Sequence, residues 1–226
     1  MISLYTIDKI KVYKYVMPVI STNMYIMVVG DQALIIDPHI NNDAIYLLSE
    51  SGVKKITIIL THEHFDHISG VNMFRLKWEC VVYGSKECSE RITDSTKNLS
   101  AFFMAIFIEK TKDERELMKD FFDENYVCKV DVSFEMNYDI LFANMMVKLI
   151  QTPGHSPGSI CVLINDRYIF SGDSLVDGNK VVTKLPGGDR KVYNEITKPF
   201  LESLSGETVV FPGHGEEGYI RDFKIE

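Results

Sequence analysis

Three of the six histidines in this chain fall within six residues, in the segment Thr-His-Glu-His-Phe-Asp-His at residues 61–67. In an extended segment, side chains two apart face the same way, so His62 and His64 can converge on one ion. Asp66 and His67, beyond an expected turn, are then free to serve a second ion. Neutral imidazole and carboxylate are ordinary zinc ligands, and an apolar run typical of a buried strand directly precedes the segment. The spacing therefore predicts a metal site at the carboxyl end of that strand.

Three further candidate ligands lie in loops that contain glycine or proline. His155 stands in Thr-Pro-Gly-His-Ser-Pro-Gly-Ser, Asp173 in Ser-Gly-Asp-Ser, and His214 in Pro-Gly-His-Gly. Each loop follows a predicted strand, and its glycine or proline residues let the backbone turn sharply so that one side chain points across the sheet edge. We therefore expect these three residues to join the first four in one site.

The HxHxDH segment, the GHSPGS loop, the GD pair and the PGHG segment together resemble the metallo-β-lactamase fold superfamily, and specifically its glyoxalase II-like hydrolases. The resemblance extends over residues 23–215. It implies an α/β (α+β) fold, a four-layer αββα sandwich with the site at one edge. It also implies that the first metal takes His62, His64 and His155. The second would take Asp66, His67 and His214, with Asp173 bridging the two.

The activity implied by the resemblance is metal-dependent hydrolysis with two divalent ions and a bridging hydroxide. Zinc is the preferred metal, with iron or manganese as alternatives. Metal coordination lowers the pKa of water from ~15.7 to near 7 and polarises a carbonyl oxygen. Asp66 is the candidate catalytic residue, because it could orient the nucleophile as well as bind metal. The expected substrate is a small-molecule thioester, ester or lactone.

One departure from the family bears on the substrate. The segment at residues 185–189, Leu-Pro-Gly-Gly-Asp, resembles short glyoxalase II-like proteins, but only twelve residues follow His214. Full-length glyoxalase II carries a C-terminal helical domain there that supplies much of its glutathione-binding surface. The glutathione thioester is therefore one candidate substrate among several.

Other functions remain open from the sequence. Close relatives act as persulfide dioxygenases with one iron at positions equivalent to His62, His155 and Asp173, and metal content with oxygen consumption would separate this activity from hydrolysis. A nuclease of the ribonuclease Z type is disfavoured by the acidic balance. A flavodiiron protein would carry Glu where His64 stands and would need a flavodoxin-like partner domain. A metal-binding module without activity is the remaining class.

Composition limits the partners and the compartment. The chain has 226 residues, with 24 basic against 32 acidic side chains and a net charge of -8, and it shows no basic cluster that would attract a polyanion. Its longest apolar runs are far shorter than the ~20 residues that span a bilayer, and its four cysteines form no CxxC pair. We expect a soluble cytoplasmic protein with a small-molecule substrate, without nucleic-acid or membrane partners, and with a homodimer as the candidate assembly.

Patterning predicts one domain, residues 1–226, of the mixed α/β kind. Strands are expected at residues 11–16, 23–29, 33–36, 56–60, 145–150, 160–164, 168–170 and 208–211, and helices at 42–50 and 193–204. A helical insert is expected near residues 98–126. There the run Phe-Phe-Met-Ala-Ile-Phe-Ile precedes a charged stretch in which apolar residues recur at helical spacing: Leu117, Met118, Phe121 and Phe122. This insert is a candidate lid or dimer contact.

Three residues near the motifs receive no catalytic role. Glu63 is expected to be a solvent-side spacer between two ligands. His39, in Asp-Pro-His, is expected to be a turn residue, and it is the one histidine outside the ligand set. Cys161 lies inside a predicted strand, where a thiol usually behaves as a small buried hydrophobic group.

Overall fold

The structure is a computed structural model that describes residues 2–18, 20–107, 111, 113–114, 116, 122–178 and 180–226. Within these ranges the strands form two sheets. The first sheet keeps its seven strands in chain order, β1 to β7. β1 to β4 pair antiparallel, and β4 to β7 pair parallel. The strands are β1 (Ile2–Ile7), β2 (Ile10–Val16), β3 (Asn23–Val29), β4 (Gln32–Ile36), β5 (Lys55–Ile59), β6 (Glu79–Ser85) and β7 (Val132–Phe134).

The second sheet has six described strands in the order β13-β12-β11-β10-β9-β8. β8 to β11 pair antiparallel, and β11 and β12 are parallel. It follows that β9, β11 and β12 all run in one direction and end at the same edge. The strands are β8 (Tyr138–Phe142), β9 (Met145–Gln151), β10 (Ile160–Ile164), β11 (Tyr168–Gly172), β12 (Val209–Pro212) and β13 (Gly218–Tyr219).

The helices connect the strands or cover the outer faces of the sheets. α1 begins after Asn41, whose side chain accepts a hydrogen bond from the Ala44 amide and so caps the helix. The described helices are α1 (Asn42–Glu50), α2 (Phe65–Ile68), α3 (Val71–Lys77), α4 (Lys86–Arg91), the 3₁₀ helix Ser100–Phe107, α5 (Arg190–Val192), the π-helical turn Tyr193–Thr197, α6 (Lys198–Ser203) and the 3₁₀ turn Ile220–Asp222. None of the described helices is long and apolar enough to cross a lipid bilayer.

Alternating side chains divide the interior into three apolar cores. In β4, Ala33 and Ile35 pack with α1 to α3, whereas Leu34 and Ile36 pack against the second sheet. In β10, alternate residues from Ile160 face the first sheet, whereas Cys161 and Leu163 pack with α6. This alternation is what two sheets covered on both faces require, because successive side chains in a strand point to opposite faces. The layers are therefore helix, sheet, sheet and helix, and the predicted fold class is confirmed.

The sequence-based element predictions were incomplete rather than misplaced. All eight predicted strands and both helices are present with small shifts at their ends, and Cys161 is buried as expected. Five further described strands, β1, β6, β7, β8 and β13, were not specified. β8 and β7 are edge strands and carry polar residues, which weakens the apolar pattern that a strand prediction needs.

The predicted helical insert is only partly testable. Its first part is the 3₁₀ helix Ser100–Phe107. Leu117, Met118 and Phe121 lie outside the described residues, and Phe122 is half-buried against the first core. The insert as a whole, and the single domain over residues 1–226, stay predictions.

Candidate metal centre

The candidate ligands follow strands that end at one edge of the sandwich. The segment at residues 61–67 follows β5, His155 follows β9, Asp173 follows β11, and His214 follows β12. Backbone hydrogen bonds join the two sheets at this edge. The Ile160 amide donates to the Thr61 carbonyl at 2.7 Å, and the Asn23 amide donates to the Gly213 carbonyl at 2.8 Å. Loops from both sheets are thereby held around one point.

The first three-residue group consists of His62, His64 and His155. All three side chains are buried, and one ring nitrogen from each lies within 4.8 Å of the others. Nδ1 of His64 lies 3.1 Å from Nε2 of His62 and 3.0 Å from Nε2 of His155. This is the group expected for the first metal.

The second group consists of Asp66, His67 and His214. Oδ2 of Asp66 lies 3.4 Å from Nε2 of His67 and 3.4 Å from Nε2 of His214. Asp66 also accepts a 2.6 Å hydrogen bond from the hydroxyl of Thr22, a buried residue that precedes β3. This is the group expected for the second metal.

Asp173 lies between the two groups. Its Oδ2 atom is 3.5 Å from Nε2 of His155 in the first group and 3.5 Å from Nε2 of His214 in the second. Its Oδ1 atom is 3.5 Å from Nε2 of His67. The structure thus brings all seven predicted residues together and places Asp173 within 3.5 Å of a nitrogen from each group.

Hydrogen bonds fix which ring nitrogen of each histidine faces the site. Nδ1 of His155 donates to the Val182 carbonyl at 2.7 Å, and Nδ1 of His214 donates to the Ile20 carbonyl at 3.1 Å. A carbonyl oxygen can only accept, so these two rings carry their proton on Nδ1 and keep the Nε2 lone pair for a metal. His64 has the opposite orientation, because its Nδ1 atom faces the group.

Asp37 orients two more histidines through hydrogen bonds. The sequence patterns did not identify it as a residue of the site. Its Oδ2 atom accepts hydrogen bonds from Nδ1 of His67 at 2.9 Å and from the hydroxyl of Thr61 at 2.6 Å. Because the Thr61 hydroxyl gives its proton to Asp37, it accepts from Nδ1 of His62 at 3.1 Å. The only signal in the sequence was an Asp at the end of β4, which equally predicts a turn.

The pKa shifts divide the site into a neutral and a charged half. Burial lowers the pKa of the His64 imidazole to about 3, and it also lowers the pKa values of His62 and His155. Burial also acts to lower the pKa of His67, but the surrounding carboxylates of Asp66, Asp173 and Asp37 outweigh it and raise that pKa to about 10. The first group therefore offers neutral imidazoles, whereas without metal a proton occupies the second.

Unpaired buried atoms favour a cation at this site. Seven buried side-chain atoms of the described residues have no hydrogen-bond partner, and two of them, Nε2 of His67 and Oδ1 of Asp173, lie 3.5 Å apart among the candidate ligands. Each such atom costs about 1–3 kcal/mol unless something binds it. Gly213 leaves space beside them, since a side chain there would collide with the Asp173 carboxylate and the His67 ring. The donor set and the open space suit divalent metal ions.

A buried polar network anchors the loop that carries His214. The Lys14 ammonium, on β2, donates to the Gly215 carbonyl at 2.9 Å and lies 3.1 Å from Oε1 of Glu217. The side-chain amide of Asn23 donates to the carbonyls of Pro212 and Gly215, each at 2.9 Å. A lysine buried to this degree is rare without such partners. Its position on β2 therefore ties the first sheet to a ligand loop of the second.

Glu63 is not a solvent-side spacer, so that prediction was wrong. Its side chain is fully buried, accepts a 2.6 Å hydrogen bond from Nε of Arg91 and a 2.8 Å hydrogen bond from the hydroxyl of Ser156. Gly158 allows this close approach, because a side chain there would collide with the Glu63 carboxylate. Alternation in an extended segment puts Glu63 opposite the ligands, but that face is covered by the His155 loop and α4.

His39 was predicted to be a turn residue, and it lies in the irregular segment after β4 with its side chain buried. Its Nε2 atom lies 3.1 Å from the Tyr15 carbonyl, and burial lowers the pKa of its imidazole. It belongs to none of the groups that could hold a metal among the described residues. Its exclusion from the ligand set therefore agrees with the geometry, but its side chain has a packing role.

The fold and the ligand geometry agree with a known family. A family model described as Metallo-beta-lactamase superfamily matches residues 17–214. This chain belongs to the metallo-β-lactamase superfamily. The resemblance noted in the sequence is therefore confirmed, and the superfamily together with the His/Asp cluster marks the chain as a metal-binding protein of a hydrolase family.

Individual relatives point the same way. The chain is 30% identical over 205 residues to a protein named Probable metallo-hydrolase YqgX from Bacillus subtilis, with 89% of each chain covered. It is 25% identical over 185 residues to Hydroxyacylglutathione hydrolase GloC from Haemophilus influenzae, covering 81% of this chain and 80% of that protein. The solved structure of BLEG-1 B3 metallo-beta-lactamase superposes with a TM-score of 0.75 at 25% identity, covering 98% of this chain and 95% of the other. These names support metal-dependent hydrolysis in general.

Proposed function

We propose that this chain is a dinuclear metal-dependent hydrolase that acts on a small-molecule thioester, ester or lactone. One observation carries the proposal: Asp173 lies 3.5 Å from a nitrogen of each of the two three-residue groups. A carboxylate shared between two ligand sets is the arrangement that a pair of adjacent cations needs. We propose zinc for both ions, with iron or manganese as the alternatives.

The metal ions and Asp66 would have different roles in hydrolysis. When bound, the metal ions would acidify a water molecule and polarise the carbonyl oxygen of the substrate. The water oxygen adds to the acyl carbon, the bond to the leaving oxygen or sulfur breaks, and a proton passes to the leaving group. Asp66, fixed by the Thr22 hydroxyl at 2.6 Å, is positioned to orient the nucleophile as well as to bind metal.

The experiment combines metal analysis of untreated protein with a hydrolysis panel of thioesters, esters, lactones, β-lactams and phosphodiesters. We expect about two metals per chain and hydrolysis of at least one acyl substrate. Asp66→Asn and His155→Ala should each lose activity and part of the metal. His39→Gln is the matched control, because it removes the histidine outside both groups and should keep both metals. An active protein free of metal would exclude the proposal.

A mononuclear iron dioxygenase is the second candidate, because His155 and Asp173 lie 3.5 Å apart. It leaves the unpaired Nε2 atom of His67 without a function, which is why we favour the dinuclear hydrolase. Oxygen uptake with glutathione persulfide, together with a single iron per chain, would replace the hydrolase proposal.

Localisation and partners are proposals as well. We propose a cytoplasmic protein whose partner is a small-molecule substrate, with no nucleic acid or membrane, and with a homodimer as the candidate assembly. The net charge of -8 supports the exclusion of polyanions. Sedimentation of the purified chain would test the dimer.

A further inference from the structure

Two cavities open onto the candidate metal centre, and they differ in character. The smaller has a volume of about 160 Å³, and every described residue that lines it, other than the candidate ligands, is apolar: Ile20, Leu99, Phe103, Val182 and Leu185. The larger has a volume of about 370 Å³ and includes Asp177 and Lys180 in its wall. A substrate that reaches the candidate ligands therefore has one apolar side and one side with charged groups available to it.

The apolar wall is rigidly tied to the ligands. The ring of Phe103 packs edge-to-face on Phe65 at 4.9 Å, and Phe65 lies between the ligands His64 and Asp66 in the chain. On the other side, the Val182 carbonyl accepts the hydrogen bond from His155 at 2.7 Å. The distance between the reacting atoms and the apolar surface is therefore set by the fold.

The charges around the larger cavity do not suit an anionic group. Among the described residues that line either cavity, Lys180 is the only cationic side chain apart from the ligand histidines. Its ammonium lies 2.7 Å from Oε2 of Glu226, a carboxylate that is also paired with the ammonium of Lys224, and Asp177 brings a negative charge to the cavity wall. The charges of Lys180 and Asp177 in the wall cancel, so these side chains give no net attraction for a leaving group with several carboxylates, such as a glutathione tripeptide.

We infer that the substrate of this site carries an uncharged hydrocarbon acyl group, which binds in the apolar cavity, and a leaving group without net negative charge. This inference rests on the proposed hydrolase function. The cavity has room for roughly five water-sized groups at ~30 Å³ each, which corresponds to an acyl chain of about four to six carbons. The carbonyl at the end of that chain would then face the candidate ligands, and its hydrocarbon would contact Leu99, Phe103 and Leu185.

The test uses the full-length, metal-loaded protein and thioesters of the neutral thiol N-acetylcysteamine, in a series from acetyl to octanoyl. We expect kcat/KM to rise roughly fourfold for each added methylene, as burial of apolar surface predicts, and to level off near pentanoyl or hexanoyl. A glutathione thioester of the same acyl group should be the poorer substrate. A flat series, or a preference for the glutathione thioester, would overturn the inference.

A binding experiment separates this inference from the proposed activity. Straight-chain carboxylates from acetate to octanoate resemble the acid product and can be titrated calorimetrically against the metal-loaded protein. Affinity that rises with chain length supports the apolar site even if no thioester is hydrolysed, in which case only the hydrolase proposal fails. Hydrolysis with carboxylate affinities independent of chain length would leave the hydrolase in place and refute the inference.

A pair of variants tests whether the chain-length dependence of carboxylate binding arises at the apolar cavity. Leu185→Ala should weaken hexanoate binding about fivefold more than it weakens acetate binding, because it removes apolar contact from the far end of the chain. Leu76→Ala is the matched control, since Leu76 lies on α3 with 87% of its surface exposed and lines neither cavity. An equal effect of Leu185→Ala on both carboxylates would contradict the assignment of this pocket.

Discussion

The ammonium nitrogen of Lys14 lies 2.9 Å from the carbonyl oxygen of Gly215, the residue after the candidate ligand His214. Lys14 lies on β2 of the first sheet, whereas Gly215 lies in the loop between β12 and β13 of the second. The same ammonium is paired with the buried carboxylate of Glu217. A charge in the core of the sandwich therefore holds one side of the candidate metal centre.

Removal of this charge should affect both stability and metal binding. We expect Lys14→Met to cost about 3–5 kcal/mol of unfolding free energy, because it leaves the Glu217 carboxylate buried without the cation that pairs with it, and only hydroxyl donors such as those of Tyr5 and Tyr25 remain. Metal affinity of the group containing His214 should fall about tenfold or more, as for other residues that orient ligands. Chemical denaturation and a calorimetric metal titration measure the two effects. The double variant Lys14→Met/Glu217→Gln should recover stability but not affinity, and an unchanged affinity in both would refute a positioning role.

The buried pair of Glu63 and Arg91 gives a second prediction. Arg91→Met should destabilise the protein by about 3–5 kcal/mol, since the Glu63 carboxylate would remain buried with only Ser156 as a side-chain partner. Glu63→Gln should cost less, because a neutral amide can still accept from Ser156. Urea denaturation of the two single variants checks the order. The reverse order would show that Arg91 does not neutralise Glu63.

Metal loading should depend on pH differently in the two halves of the site. The raised pKa of His67, about 10, means that a metal entering the second group must displace a proton throughout the neutral range. Its affinity should therefore fall about tenfold for each pH unit of acidification. The His64 pKa of about 3 leaves the first group unprotonated, so its affinity should change little. Metal analysis after dialysis between pH 8 and pH 5.5 should show one ion lost before the other, and simultaneous loss would contradict this division.

Because His39 is buried, we expect it to make the free energy of unfolding depend on pH. Burial lowers its folded-state pKa, so as pH falls through the unfolded value of about 6.5 the unfolded chain takes up the proton first. Stability is therefore kept above that pH and lost below it, at up to ~1.4 kcal/mol per pH unit. His39→Gln, which can still donate to the Tyr15 carbonyl, should lose less stability between pH 7.5 and 5.5 than the unmodified chain. Urea denaturation of both in chelator gives the comparison, and parallel slopes would exclude His39 as the source.

Much of the fold was predictable because the strands near the site are buried on both faces. The apolar runs of β3, β4 and β5 and of β10 carry a strong pattern, whereas β7 and β8 at the sheet edges do not. Glu63 shows the limit of local reasoning. Its position in an extended segment predicts which way the side chain faces, but its partners Arg91 and Ser156 lie 28 and 93 residues away.

The sequence by itself determined which chemical groups the site contains. The seven candidate ligands stand in short motifs, and the residue types and spacing of these motifs can be recognised without a structure. Only the tertiary structure decided how each ligand is used. The acceptors that orient His155 and His214 are the backbone carbonyls of Val182 and Ile20, and every residue has such a carbonyl. The apolar cavity likewise joins apolar side chains from three separate segments, at residues 20, 99–103 and 182–185. Sequence specifies which groups are present, whereas proton positions, charge pairs and pocket shape depend on contacts that exist only when distant segments pack together.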